Sequence, residues 1–251
     1  MSSGNGVLTR NTIDNIVDSS IEEKWKLDKF GKFSASQIHK LVLSGPVVDR
    51  RSGMRRLFSD GGLTYIKQIA RQSASIFSER DFRESFDMKA GLINEPESFG
   101  RLYGLLGIPD EYITYFGASN PKFFPYIPGS GCSPDVVVYG PDGEPAYGCE
   151  LKNPKPDTHW DYLLNIGDAE ALRRNCPDYF AQVQFSMMVL GVDKWLFCSY
   201  DGLLKNFSDK MLIIEVPRDK KFCDDLLIRL KQALYLKEEY MLTVKNRLKT
   251  A

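Results

Sequence analysis

The stretch that most constrains this chain is a pair of short apolar runs joined by a turn. Gly131-Cys132-Ser133-Pro134-Asp135 leads into Val136-Val137-Val138-Tyr139; Pro141-Asp142-Gly143-Glu144 follows, and then Tyr147-Gly148-Cys149-Glu150-Leu151-Lys152. β-Branched and aromatic residues favour extended backbone. Pro-Asp-Gly closes a turn, because proline pre-sets φ and glycine tolerates a positive φ. The pattern predicts a hairpin with Asp135 at the start of its first strand. Residues two apart on a strand share a face, so Glu150 and Lys152 project together while Leu151 turns into the core. The hairpin can return Asp135 to the side of Glu150, so that two carboxylates and one ammonium converge. Two carboxylate oxygens and a backbone carbonyl suit a hard divalent cation that keeps several waters, Mg²⁺ rather than zinc. A lysine beside such an ion can position or deprotonate a water, or neutralise charge developing on a phosphate. Taken alone, Asp…Glu-x-Lys is also what a surface hairpin with a salt bridge looks like.

The chain has 251 residues, 43% of them hydrophobic and 26% charged, which fits one large globular domain. The expected division is a loose N-terminal tail over residues 1–14 and a single domain over 15–251. No run of eighteen apolar residues predicts a membrane span. Met1 to Gly6 lacks the apolar core of a signal peptide, so a cytoplasmic location is expected. The five cysteines (132, 149, 176, 198 and 223) form no C-x-x-C pair; they read as buried, reduced thiols rather than an iron–sulfur or zinc site. Net charge is zero but unevenly spread. Lys24 to Asp60 holds nine Lys/Arg against three Asp/Glu, and Asp81 to Glu150 holds four against eleven. A polyanion channel leading to a metal site would show that asymmetry, as would a solvated surface whose charges offset one another.

Along the chain, Asp18 to Lys29 can form a short helix. A second begins at Phe33 and runs to Val42, with Ser34 as its N-cap; its hydroxyl-rich start is a candidate anion site, and His39 within it reads as a packing or surface residue. Gly45 to Gly62, with Arg50, Arg51, Arg55 and Arg56, reads as a basic loop. Leu63 to Glu79 and Phe82 to Leu106 have helical spacing, the latter interrupted by Gly91 and Pro96, with Glu95 between them. Short strands are expected at Tyr112–Phe116 and Phe123–Ile127, then the hairpin, then a loop holding His159, Trp160 and Tyr162. Pro177 to Leu190 is a helix with proline in its first turn. Lys194–Tyr200 and Lys210–Val216 are neighbouring strands, and Lys220 to Leu248 a long amphipathic helix. The order predicts the α/β or α+β class: a mixed sheet flanked by helices.

Three segments, Cys132-Ser133-Pro134-Asp135, Glu150-Leu151-Lys152-x-Pro154 and Tyr179-x-Ala181-Gln182-Val183-Gln184-Phe185-Ser186-Met187, resemble the phage lambda exonuclease or YqaJ-like family. This family belongs to the PD-(D/E)xK, restriction-endonuclease-like superfamily of nucleases. Trp25 through Ser34-Ala35-Ser36, Gly91-x-x-x-Glu95 and Trp195-x-Phe197-x-x-Tyr200-Asp201 are similar in the same order. The resemblance implies a metal-dependent exonuclease that degrades one strand of duplex DNA from its 5′ end. The 3′ overhang would pass to a single-strand annealing protein for recombination, and the working form would be a ring-shaped homotrimer. It implies a phage or prophage protein acting in a bacterial cytoplasm. By position, Asp135, Glu150 and the Leu151 carbonyl would hold Mg²⁺, with Mn²⁺ a substitute. Lys152 would orient or activate the attacking water, Glu95 would reach the metal through water, and Gln182 would assist near the scissile phosphate with Tyr179 close by. Lys29 and Ser36 match the positions that receive the 5′-phosphate. Lys29 stands where the family has arginine, which keeps the charge but loses the bidentate fork. Pro96, directly after Glu95, and the length of the hairpin are further departures. Two other readings stay open: a site- or structure-specific endonuclease or RecB-type repair nuclease, and a nuclease fold serving as a non-catalytic clamp.

Overall fold

A computed structural model describes residues 10–43, 47–48, 55–77, 86–117, 120–205 and 210–249; of residues 10–19, 47–48, 55 and 86–93 it describes the backbone alone. The centre is a five-stranded mixed sheet in the order β10-β9-β8-β7-β4. Its strands are β4 (Ile113–Tyr115), β7 (Val136–Tyr139), β8 (Pro145–Lys152), β9 (Lys194–Tyr200) and β10 (Met211–Pro217). β7 and β8 form the expected hairpin, antiparallel with Val136 opposite Cys149. β8 runs parallel to β9, with Glu150 beside Phe197, and the remaining pairs are antiparallel. A parallel pair needs a crossover, and it is built from three helices: α5 (Pro156–Asn165), α6 (Ala169–Asn175) and α7 (Pro177–Leu190).

The period-2 alternation of the strands separates two cores. Trp195, Phe197, Ile214 and Val216 turn to one face and pack on Leu172 of α6 and on Phe180, Val183 and Met187 of α7. Val136, Cys149, Leu151, Leu196 and Cys198 turn to the other, where Leu102 of α4 (Phe86–Leu106) covers them. α7 is buried on nearly every side. Its second flank meets a third core of Phe33, Ile38, Leu41, Tyr65, Ile66, Leu226 and Leu230. That core lies among α2 (His39–Val42), α3 (Asp60–Ser73) and α8 (Lys220–Lys249). The Arg229 guanidinium ties α8 down by donating to the carbonyls of Leu41 at 3.1 Å and Leu57 at 2.8 Å. All five cysteines are buried and free. Among the described residues no helix is long and apolar enough to cross a membrane.

Several local expectations give way. α1 spans Arg10–Lys29, so residues 10–14 are helical rather than loose; residues 1–9 lie outside the described ones. Phe33–Val42 is not one helix. Phe33 and Ser34 form β1, which pairs in parallel with β6 (Ser130–Cys132). One 3₁₀ turn over Ala35–Gln37 and the four-residue α2 follow. Ser34 sits at the cap position but its side chain caps nothing, because the strand pairing has fixed its backbone and its N–H donates to the Tyr65 hydroxyl. Phe124–Pro125 (β5) is all that forms of the Phe123–Ile127 strand, and it joins β6 in a small separate sheet. The basic loop contains a short hairpin, Val47–Val48 (β2) with Arg55–Arg56 (β3); Arg50 and Arg51 lie outside the described residues. α3 starts three residues early, where Ser59 caps it by accepting from Gly62 N–H, and ends at Ser73. α4 runs unbroken through Pro96. His159, Trp160 and Tyr162 lie on α5 rather than in a loop, since Pro156 occupies a first-turn position that needs no N–H.

Gly148 stands opposite Trp195, and a Cβ there would fall on the indole ring. Trp195 is fully buried, so it cannot swing into solvent. Gly148→Ala is therefore expected to cost roughly 1–3 kcal/mol, the usual range for overpacking a core. A lower urea midpoint at unchanged slope would show it; an unchanged midpoint would contradict this packing.

Candidate active site

Asp135 sits one residue before β7. Its carbonyl accepts from Phe116 N–H at 2.7 Å, and its Oδ2 accepts from Leu151 N–H at 2.7 Å. The segment that presents it is held from outside as well, because Trp25 of α1 donates its indole N–H to Ser133 Oγ at 2.8 Å. One step beyond the Val136–Cys149 pair, the antiparallel ladder sets Asp135 across from Glu150. Like charges so placed repel. Burial, first, and then the charges of Glu150 and Glu95 hold the Asp135 carboxyl well above the usual carboxylate range.

Glu150 is only 2% exposed. Its Oε1 accepts from the Lys152 ammonium and from the Gln182 side-chain amide of α7. Its Oε2 is buried with no hydrogen-bond partner. A buried acceptor left so is costly, and an incoming cation or donor would relieve that cost. Lys152 lies with its Nζ 4.9 Å from the centre of the Tyr179 ring. Burial works to lower its pKa, but Glu150, Asp135 and Tyr179 outweigh that and hold it above the ordinary lysine value.

Glu95 approaches from α4. Its Oε1 accepts from the Tyr115 hydroxyl at 3.0 Å; burial raises its pKa, which that hydrogen bond partly offsets. The helix is continuous here, so Pro96 does not prevent Glu95 from reaching the site. Lys29 ends α1, with its Nζ 4.9 Å from the centre of the Trp25 ring. Its pKa is lowered by burial, against the opposing pull of Glu150 and Asp135. Ser36 is exposed on the 3₁₀ turn, 3.4 Å from the Ser34 hydroxyl. Such a short turn has no helix N-terminus to offer an anion, so that part of the expectation lacks a basis. A cavity of about 450 Å³ is lined by Asp135, Glu150, Lys152, Gln182 and Glu95 together with Lys29, Ser36 and Trp25. Every candidate except Leu151 and Tyr179 lines it; Leu151 lies in the core beneath, and Tyr179 lies beside Lys152.

The donors fit a hard divalent ion. Asp135, Glu150 and the Leu151 carbonyl offer oxygen only, and one carboxylate oxygen is unpaired. Among the described residues no three histidine, cysteine or carboxylate side chains gather closely enough to hold a metal by themselves. Two carboxylates and a carbonyl are the donor chemistry of an ion that keeps waters, where structural zinc takes sulfur and nitrogen. Sequence reasoning assigned no role to Trp25, Ser133 or Tyr115. Their partners lie 108 residues from Trp25 and 20 from Tyr115, beyond the reach of any local pattern.

The repulsion gives a stability prediction. A folded carboxyl whose pKa is raised favours the protonated form, so its contribution declines as pH climbs from the unfolded value near 3.9 towards the folded one. Asp135→Asn removes the charge and keeps an acceptor for Leu151 N–H. It is expected to raise the melting temperature of the metal-free protein at pH 7 by roughly 2–4 °C, the shift that about 1 kcal/mol makes in a domain of this size. At acidic pH the gain should shrink. A lower melting temperature at pH 7 would contradict the crowded-carboxylate picture.

No family model matches the chain, and no curated protein matches it. Solved structures do. An alkaline exonuclease from Laribacter hongkongensis superposes with a TM-score of 0.69 at 20% identity, over 91% of this chain and 98% of that one. The same protein in complex with dAMP gives 0.71 over the same shares, again at 20% identity. A phage-related exonuclease from Haemophilus somnus 129PT gives 0.60 at 12% identity, over 85% and 96%. The helix-flanked mixed sheet of this chain is thus the fold of these exonucleases across nearly the whole of their length.

Proposed function

We propose that the chain is a Mg²⁺-dependent deoxyribonuclease that degrades one strand of linear duplex DNA from its 5′ end. The observation that carries this reading is Glu150: buried, pinned at Oε1 by Lys152 and Gln182, bare at Oε2, and beside Asp135 in one cavity. The likeness to an alkaline exonuclease and to a phage-related exonuclease supports it. So does the dAMP complex of the former, since a deoxynucleoside monophosphate is what stepwise digestion of DNA releases.

In this reading Asp135, Glu150 and the Leu151 carbonyl hold the ion, with Glu95 within reach through water. Bound there, Mg²⁺ supplies charge neutralisation at the phosphate and a water of lowered pKa. Gln182 keeps Glu150 from rotating by holding Oε1. Lys152, a cation already aimed at the carboxylates, donates to the attacking water or to the phosphate oxygens. Tyr179 supports the ammonium through its ring face. Lys29 and Ser36, which line the same cavity, receive the terminal 5′-phosphate. Polarity, the hand-over of a 3′ overhang to a single-strand annealing protein, the homotrimer and the phage-linked bacterial cytoplasm rest on the family resemblance. Mn²⁺, also an oxygen-seeking ion, is expected to substitute.

Incubation with linear and covalently closed circular duplex DNA tests the reading. Linear DNA should be consumed and closed circles left intact; cleavage of circles would favour the endonuclease alternative, and no cleavage of either with Mg²⁺ or Mn²⁺ would favour the clamp. Asp135→Ala and Glu150→Ala should abolish digestion, and Lys152→Ala should slow it on the order of 100-fold or more while DNA binding survives. Near wild-type cleavage by either carboxylate variant would mean that the metal site is misplaced.

End preference is a separate outcome. A terminal phosphate carries more charge than an internal phosphodiester, so 5′-phosphorylated ends should be digested faster than 5′-hydroxyl ends. Lys29→Ala should cut that preference by on the order of tenfold, which is what a charge-assisted contact of roughly 1.5 kcal/mol yields. Equal loss on both ends would leave Lys29 with general phosphate attraction only.

A further inference from the structure

Tyr115 lies on the edge strand β4 and none of the sequence patterns singles it out. Three independent features fix its ring. Phe99 of α4 stacks on it, with ring centres 4.4 Å apart and planes 8° from parallel. β4 binds it into the sheet, with Tyr115 opposite Val136, the residue after Asp135. Gly117 leaves the space that the ring fills, since a Cβ at that position would run into the phenol end. So held, the hydroxyl donates to Glu95 Oε1 at 3.0 Å.

Glu95 needs such a hold. It lies one residue before Pro96, which has no N–H to give to the carbonyl of Leu92, so the helix around Glu95 lacks one of its own stabilising bonds. It also lines the cavity with Asp135, Glu150 and Lys152, where Glu150 repels its carboxylate and Lys152 attracts it, so the Tyr115 hydroxyl fixes which way it turns. Glu95 and Phe99 are four residues apart on α4 and so share a helix face; they grip the phenol from its polar end and its ring face together.

We propose that Tyr115 is a positioning residue: locked by Phe99 and Gly117, it holds Glu95 in the cavity that Asp135 and Glu150 line, where Glu95 would act through water on a cation bound by that pair. The proposal rests on the metal-dependent reading above. Tyr115 touches neither ion nor DNA in this account and acts only through Glu95. Outer partners of this kind typically alter metal affinity by tenfold or more.

Calorimetric titration of the metal-free protein with Mn²⁺ tests this without reference to cleavage. Tyr115→Phe keeps the stack on Phe99 and removes only the hydroxyl, so its melting temperature without metal should stay near wild type. Its Mn²⁺ affinity should fall about tenfold. Glu95→Gln should weaken binding at least as much, and Tyr115→Phe in that background should add nothing further. Gly117→Ala, which keeps the hydroxyl but displaces the ring, should reproduce the loss. Wild-type Mn²⁺ affinity in Tyr115→Phe, or losses that multiply in the double variant, would overturn the positioning role and leave the nuclease reading standing. A wild-type protein that binds no Mn²⁺ would overturn the nuclease reading and the proposal with it.

Discussion

Everything around the cavity follows from placing two carboxylates across one hairpin. Asp135 and Glu150 repel each other in a setting with little water, and the chain answers with several separate constraints. Leu151 N–H and the Phe116 N–H fix Asp135 from the main chain. Lys152 and Gln182 fix one oxygen of Glu150. The second oxygen of Glu150 is buried and unmatched. An unpaired buried acceptor costs more than a typical hydrogen bond elsewhere returns. In the reading proposed above, a cation bound between the two carboxylates would relieve their repulsion and take up that oxygen.

The wider fold serves that placement. The parallel β8–β9 pair forces a helical crossover, and α7, its last helix, closes over the face of β8 that carries Glu150. Because α7 is buried on nearly every side, Gln182 and Tyr179 stand on a rigid support rather than a surface helix. On the opposite face α4 packs against Leu151 and Leu196 through Leu102, and it brings Glu95 in from a third direction. α1 latches the segment before Asp135 through Trp25 and Ser133, and its last residue, Lys29, lines the cavity. The site is an intersection of three layers, each with its own apolar core.

What was legible in the sequence was local. The hairpin could be read because period-2 alternation and a Pro-Asp-Gly turn act within twenty residues, and α7 could be read because Pro177 opens an apolar run; the structure adds that Gly191 ends it in the left-handed conformation. The pairing of Phe33–Ser34 with Ser130–Gly131 could not, since no local pattern connects strands nearly a hundred residues apart; it is what turned an expected helix into a strand and one 3₁₀ turn. α5 was missed because Pro154 and Pro156 look like loop punctuation, although proline in a first turn is also how a helix begins. Tyr115 was invisible for a different reason: its role is a meeting of an edge strand with a helix, and no local pattern pairs it with Glu95 and Phe99.

The most direct test of the account is where a cation binds. A crystal grown with Mn²⁺ and measured at the manganese edge would give an anomalous peak for each bound ion. The account predicts a peak among Asp135, Glu150 and the Leu151 carbonyl, with Glu150 Oε2 as a ligand. No peak there with manganese at millimolar concentration, or a peak only at another site, would contradict it.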